Sequence, residues 1–265
     1  MSQNRAAVHL ISSISATYRT PIHLIQVFAA VRAIFPDKDE VWLKEDFFRS
    51  TQRGFFVDVG AFEPIEGSQS YALEQRGWNG VLIEPQPDVA ARLRNQRRVP
   101  VYEVACSSPA SSGKLLPLHV GGGMHASLRE DYYIAGFKNR KLATVQVKIR
   151  TLDEILTEVG APIPIDFVSI DVEFHEIEVL EGFDLARWRP RLILIEDVAA
   201  GLQLHRYLRR RGYKWVRRTG LNGWYVPEDM PVSVSLFGRW QFIRKHVLGV
   251  PFRRLRDAKR RWVRQ

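Results

Sequence analysis

The stretch GFFVDVGAFEP, Gly54 to Pro64, decides how the rest of the chain is read. An apolar run carries one acid, Asp58, then meets Gly60 and a second acid, Glu63. A short apolar run bounded by glycines reads as a buried strand leaving a sheet. In open α/β sheets the loop after such a strand borders the ligand crevice. A dinucleotide would require G-x-G-x-x-G there, so that backbone and helix N-terminus can approach a pyrophosphate. Here the loop reads GAFEPIEG: Phe62 stands where the central glycine would be, and Glu63 places an anion beside the would-be phosphate. The loop therefore argues against a pyrophosphate.

Outward from this stretch the pattern is regular. Ser68 to Arg76 predicts a helix stopped by Gly77, and GVLIE (Gly80 to Glu84) a second strand. Pro87 to Asn95 predicts a helix and VPVYEVA (Val99 to Ala105) a third strand. TLDE at Thr151 to Glu154 is a capping box, followed by Leu152, Ile155, Leu156 and Val159 on one helix face. IDFVSID (Ile165 to Asp171) and RLILIE (Arg191 to Glu196) are further strands, with helices at Glu176 to Glu181 and Leu202 to Arg211. YKWVRR and NGWYVP form a closing antiparallel hairpin. Strands alternating with helices predict an α/β fold, Rossmann-like, its sheet mostly parallel with helices on both faces.

The outer and middle regions are read as additions to this sheet. Residues 1–50 are an N-terminal helical extension, with helices at Ile22 to Ile34 and around Val41 to Phe48. Residues 51–230 form the main domain, and residues 107–150, with the glycine loop GGGMHAS and the strand TVQVKI, are an insertion over the sheet. Residues 231–265 are a basic C-terminal tail.

The chain has 265 residues, 45% hydrophobic and 26% charged, an ordinary globular composition. Its formal charge is +10, yet Arg244 to Gln265 holds nine Lys/Arg and one acid, leaving 30 against 28 in the rest. Basicity belongs to the tail, so the whole-chain charge does not argue for nucleic acid. One cysteine excludes an intrachain disulfide and suits a reducing compartment. No leader pattern or spanning segment stands out at the N-terminus, so a cytoplasmic location is expected, peripheral to the membrane if the tail binds anionic headgroups. A solubilising tail is the alternative.

Asp58, Glu84, Asp171 and Glu196 each fall at or near the end of a predicted strand. Parallel strands bring those ends to one edge, where clustered carboxylates repel and cost desolvation. Four in order point to a site. A phosphate-free adenosine ligand such as S-adenosylmethionine fits: an acid after the second strand can accept from both ribose hydroxyls, and Glu84 lies 24 residues beyond Gly60.

FVDVGAFEP, GSQSYALEQRGWNGVLIEPQPDVAARL, VACSS, RTLDEIL and IDFVSIDVEFHEIEVLEGFD, in this order, resemble the FkbM family of class I S-adenosylmethionine-dependent methyltransferases. The resemblance covers roughly Phe48 to Glu196 and implies the class I methyltransferase sheet. It implies that Asp58, Gly60, Ala61, Ser68, Ser70, Glu84, Ala105 and Cys106 bind the cofactor. Asp171 and Glu173 would stand near the transferred methyl. The chain departs from the family pattern at Phe62 (commonly asparagine), Pro64 (commonly glycine) and Phe174 (commonly glycine), and His175 is a local addition.

The resemblance, with no N-P-P-Y motif after the fourth strand, implies O-methylation of a glycan, glycolipid or natural-product acceptor. Asp171, Glu173, His175 and His125 are the candidates for base or substrate-orienting roles. Cys106 is expected to be a small buried residue near the adenine. A divalent metal held by Asp171 with Glu196 or Asp197 is left open. The alternatives are a non-catalytic cofactor-binding scaffold docked through its tail, or an RNA methyltransferase; HRYLRRRGYKWVRR (His205 to Arg218) interleaves aromatics with cations as a single-strand binder would, but its period reads as a solvated helix face followed by a strand. The oligomeric state is not legible.

Overall fold

The computed structural model describes residues 44, 46–121, 126–129, 143–198 and 201–255. The chain divides into two units, Met1–Trp42 and Leu43–Gln265, and every described residue lies in the second. The expected helix at 22–34 and His125 lie outside the described residues, as does the end of the tail, 256–265.

The central sheet is built from β1 (Phe55–Val59), β2 (Asn79–Ile83), β3 (Val101–Tyr102), β8 (Phe167–Ile170), β9 (Leu192–Glu196), β10 (Tyr213–Thr219) and β11 (Asn222–Pro227). Its order is β10-β11-β9-β8-β1-β2-β3. The first five strands in chain order pair in parallel, while β11 runs antiparallel to both β9 and β10. The expected mostly parallel sheet with a closing hairpin is what the chain forms. From β1 the chain steps to β2 and β3, then returns to β8 on the other side of β1. Such a reversal opens a crevice at the C-terminal ends of the strands.

Alternation along each strand sorts the core into two faces. Val57, Val59, Val81, Ile83, Val168, Ile170, Ile193 and Ile195 point one way, onto α3 (Leu152–Glu158), α4 (Glu176–Glu181), α5 (Leu185–Trp188) and α6 (Gln203–Arg209). Phe56, Leu82, Phe167, Leu192 and Leu194 point the other way, onto α1 (Tyr71–Gln75), α2 (Pro87–Gln96) and Phe48. Each fully buried side chain of this kind contributes roughly 1.5–3 kcal/mol over its exposed state. The helices start and stop as the sequence dictates. Thr151 and Glu154 exchange both capping-box hydrogen bonds at α3, and Gly182 caps α4.

Three features differ from the sequence reading. VPVYEVA is two short strands rather than one: β3 joins the central sheet, and β4 (Ala105–Cys106) leaves it for a second sheet. That sheet, of order β4-β7-β5-β6, is completed by β5 (Leu115–Val120), β6 (Ala126–Ser127) and β7 (Ala143–Arg150). Exposed Glu103, held by Arg94 at 2.9 Å, marks the corner where the chain changes sheets.

Secondly, Lys44 and Phe48 belong to the body. Phe48 is fully buried, edge-on to Trp78 (4.9 Å) and Phe167 (6.1 Å). Thirdly, the basic tail begins as a packed helix. In α7 (Leu236–Ile243), Gly238 and Gln241 face the hairpin, and Gln241 Nε2 donates to Arg218 O at 2.8 Å. In the run His205 to Arg218, Tyr213 and Trp215 are buried, so they offer no stacking surface to nucleic-acid bases.

Candidate active site

A cavity opens at the crevice. It is lined by Asp58, Gly60, Ala61 and Phe62 after β1, and by Glu84 and Gln86 after β2. Ala105, Cys106, Asp171 and Glu173 line it as well. Leu118, Ala126 and Leu128 from the second sheet close one wall, which is how the insertion contributes.

Gly60 has φ +81, and a Cβ there would stand 1.9 Å from Asp171 O. The glycine is required because two adjacent parallel strands leave the sheet side by side at this point. Phe62 (φ 34) and Phe174 (φ 74) also adopt left-handed backbone. Asparagine and glycine tolerate this region far better than phenylalanine. Both departures from the family pattern therefore carry local strain beside the cavity. Glu173, at φ 52, shares the turn.

Glu84 is almost fully buried, and its Oε2 accepts from Phe62 N (3.2 Å) while Oε1 accepts from Gln86 N (2.9 Å). Those bonds do not fully offset desolvation, and its carboxyl is pushed up to about 7. Asp58 is buried and its carboxyl is raised by desolvation, against the opposing pull of Ser70, Arg97 and Lys44. Cys106 is buried and its thiol is pushed up to about 12, so it stays protonated and is no nucleophile at neutral pH.

Ser68 and Ser70 do not line the cavity. Ser70 Oγ donates to Asp58 Oδ2 at 2.6 Å and, with Ser68 Oγ, accepts from Arg97 at 3.1 Å. Arg97 is buried and also donates to Glu74 Oε2 (2.6 Å) and Pro64 O (3.1 Å). This network fixes the loop from Asp58 to Tyr71 behind the cavity. Lys44 braces the same loop by donating to Gln69 O at 2.9 Å. Sequence reading missed Arg97, because its partners lie 23 to 33 residues away.

On the open side, exposed Asp171 follows β8 and faces a group of acids. Glu176 is pushed up to about 8 by desolvation and then by Asp171 and Glu173. Glu196 is pushed up to about 9 by desolvation, then by Asp171, Glu173 and Glu176. Both stay protonated at neutral pH, which limits repulsion around Asp171. Glu196 Oε2 is buried with no hydrogen-bond partner among the described residues. Glu176, a further acid at this edge, was not picked out from the sequence, since it opens a helix rather than ending a strand.

His175 precedes α4 outside the cavity lining, its Nε2 2.9 Å from Ser107 Oγ. Burial lowers its pKa, so the ring is neutral at pH 7. Asp197, adjacent to Glu196, turns elsewhere: its Oδ1 is 3.0 Å from Lys245 Nζ, with both side chains buried. Among the described residues no three His, Cys, Asp or Glu side chains are grouped to hold a metal ion.

The methyltransferase FkbM domain matches residues 58–215, more than half of the chain. The chain belongs to the FkbM methyltransferase family. Its match begins at the first acid of the opening stretch and ends inside β10. No curated protein matches the FkbM chain. A solved methyltransferase from Geobacter sulfurreducens is similar at 14% identity and TM-score 0.38, over 86% of this chain and 96% of that one. As an FkbM methyltransferase the chain is an enzyme of methyl transfer, and the cavity at the strand ends is its candidate active site.

Proposed function

We propose that this FkbM methyltransferase moves a methyl group from S-adenosylmethionine to a hydroxyl oxygen of a glycan, glycolipid or natural-product acceptor. The observation that carries the reading is one cavity lined by Glu84 and Asp171, with Glu63 also in its wall, where it would repel a pyrophosphate. Glu84 suits two ribose hydroxyls. Its oxygens accept from the backbone N–H groups of Phe62 and Gln86, and burial still leaves its charge undersatisfied. Ile83, Ala105, Cys106 and Leu118 supply an apolar wall suited to an adenine. The acids at the mouth suit the cationic methionine end.

S-adenosylmethionine, when bound, supplies an electrophilic methyl on a good leaving group. Much of the acceleration then comes from positioning the acceptor in line. A hydroxyl is a weak nucleophile until its proton is taken, and Asp171 is the carboxylate placed to accept it. Glu176 and Glu196, held neutral behind Asp171, add little negative charge against it. The hydroxyl preference rests on the family resemblance and the absent N-P-P-Y motif.

Titration calorimetry with S-adenosylmethionine is expected to show binding to the folded protein; its absence would sink the reading. Asp171→Asn is expected to retain that binding and to slow transfer of labelled methyl to a panel of saccharides and alcohols by about 100-fold or more. Unchanged transfer would remove Asp171 from the base role. Binding without transfer to any hydroxyl acceptor would favour the scaffold reading, for which strained Phe62 and Phe174 are the structural ground.

A further inference from the structure

We propose that the C-terminal helix is a docking surface for an anionic lipid bilayer, lying on the membrane rather than crossing it. α7 runs on into a π-helical stretch, Arg244–Leu248, and after a turn at Gly249 the chain is helical again to Leu255. One side is committed to the body: Gly238, Gln241, Lys245 and His246 are buried against it. The other side is apolar and exposed. Leu236, Phe237, Trp240, Ile243, Val247 and Leu248 recur at helical spacing and are between 46% and 84% exposed. Phe252 and Leu255 extend the stripe, each 74% exposed. A contiguous exposed patch of this size on a folded domain marks a contact surface.

Charge selects the occupant. Residues 236–256 contain no Asp or Glu, and residues 236–265 carry ten Lys/Arg against one acid. Arg239 and Arg254 are exposed beside the stripe, and the Arg244 guanidinium lies 5.0 Å from the Trp240 ring centroid. Cations flanking an apolar face that carries tryptophan suit the boundary between anionic headgroups and acyl chains. A second copy of the chain would bring two strongly cationic faces together, which disfavours self-association through this side. Among the described residues no helix is long and apolar enough to span a bilayer.

The helix is also tied to the active-site edge. Lys245 pairs with Asp197, the residue after Glu196 at the end of β9, and donates to the Asp197 carbonyl. Docking through this face would hold the strand-end edge in a fixed relation to the lipid surface, which suits an acceptor presented there.

Sedimentation of the full chain with phosphatidylcholine vesicles, with and without phosphatidylserine, tests the proposal. Retention is expected only with phosphatidylserine, to weaken with added salt, and to fall about tenfold or more in W240E/I243E/V247E. All three positions are exposed, and unchanged circular dichroism and melting temperature would show the variant folded. A lipid-blind chain, a variant that still sediments fully, or a lipid-independent dimer abolished by the same substitutions would each overturn it. The outcome is independent of S-adenosylmethionine binding, so either reading can fail alone.

Discussion

Glu84 stands at the end of β2 with one backbone N–H on each oxygen and its carboxyl pushed up to about 7. The ionised form is the better acceptor for two ribose hydroxyls, so binding S-adenosylmethionine should draw its proton off. Affinity is expected to rise as pH increases through about 7 and then level, changing by up to about tenfold per unit on the acid side. Calorimetry across pH, in buffers of different ionisation heat, reads both the affinity and the released proton. A flat profile would take Glu84 out of the ribose role. Glu84→Ala should cost about 2–3 kcal/mol of binding. Glu84 and Asp58 were legible in the sequence because a strand end is a local pattern. The role of Ser70 was not: its place in the motif was visible, but whether its hydroxyl turns to a ligand or to Arg97 depends on a residue 27 positions away.

Among elements, the loop from β1 to α1 is the one whose shape matters most, and Arg97, just past α2, sets it. Its guanidinium is completely buried and ties Glu74, Ser68, Ser70 and the Pro64 carbonyl together. Removing one partner of a buried ion pair leaves an uncompensated charge. Arg97→Met is therefore expected to lower stability by about 3 kcal/mol, seen as a fall in urea midpoint. Arg97→Met combined with Glu74→Leu should recover part of that loss, because neither charge is then stranded. Equal stability of the single variant and the parent would show that the network is incidental. The strand reading of 99–105 failed at this scale too. Apolar character continues through Val104 and Cys106, so the sequence shows no break, and only the competing edge of β7 draws Ala105 and Cys106 into the other sheet.

For the whole molecule, buried ionisable groups set how stability follows pH. Glu84, Glu176 and Glu196 have folded pKa values raised from 4.5 to about 7, 8 and 9. Each binds its proton more tightly when folded, so its contribution is complete below 4.5 and is lost as pH rises through those values. His246 works oppositely: lowered from 6.5 to about 4, it adds stability as pH rises to 6.5 and nothing further beyond. Lys245, lowered from 10.5 to about 8, favours the folded state only above about 8. Between pH 6.5 and 8 the acids act alone, and the melting temperature is expected to fall across that window. Scanning calorimetry of the ligand-free protein checks this; a flat or rising melting temperature there would show that these carboxyls are not held neutral.

The sequence by itself determined the strands, the helices and their stops, because period-two and period-3.6 apolar patterns, capping boxes and terminal glycines act over a few residues. It thereby determined that Asp58, Glu84 and Asp171 would meet at one edge, since parallel strands share their C-terminal ends. Only the tertiary structure decided what each acid does there. Asp197 is taken by Lys245 from the C-terminal helix, while its neighbour Glu196 is buried among Asp171, Glu173 and Glu176. Adjacent residues leaving one strand turn to opposite sides. What waits on each side comes from segments tens of residues away, and no local pattern encodes that.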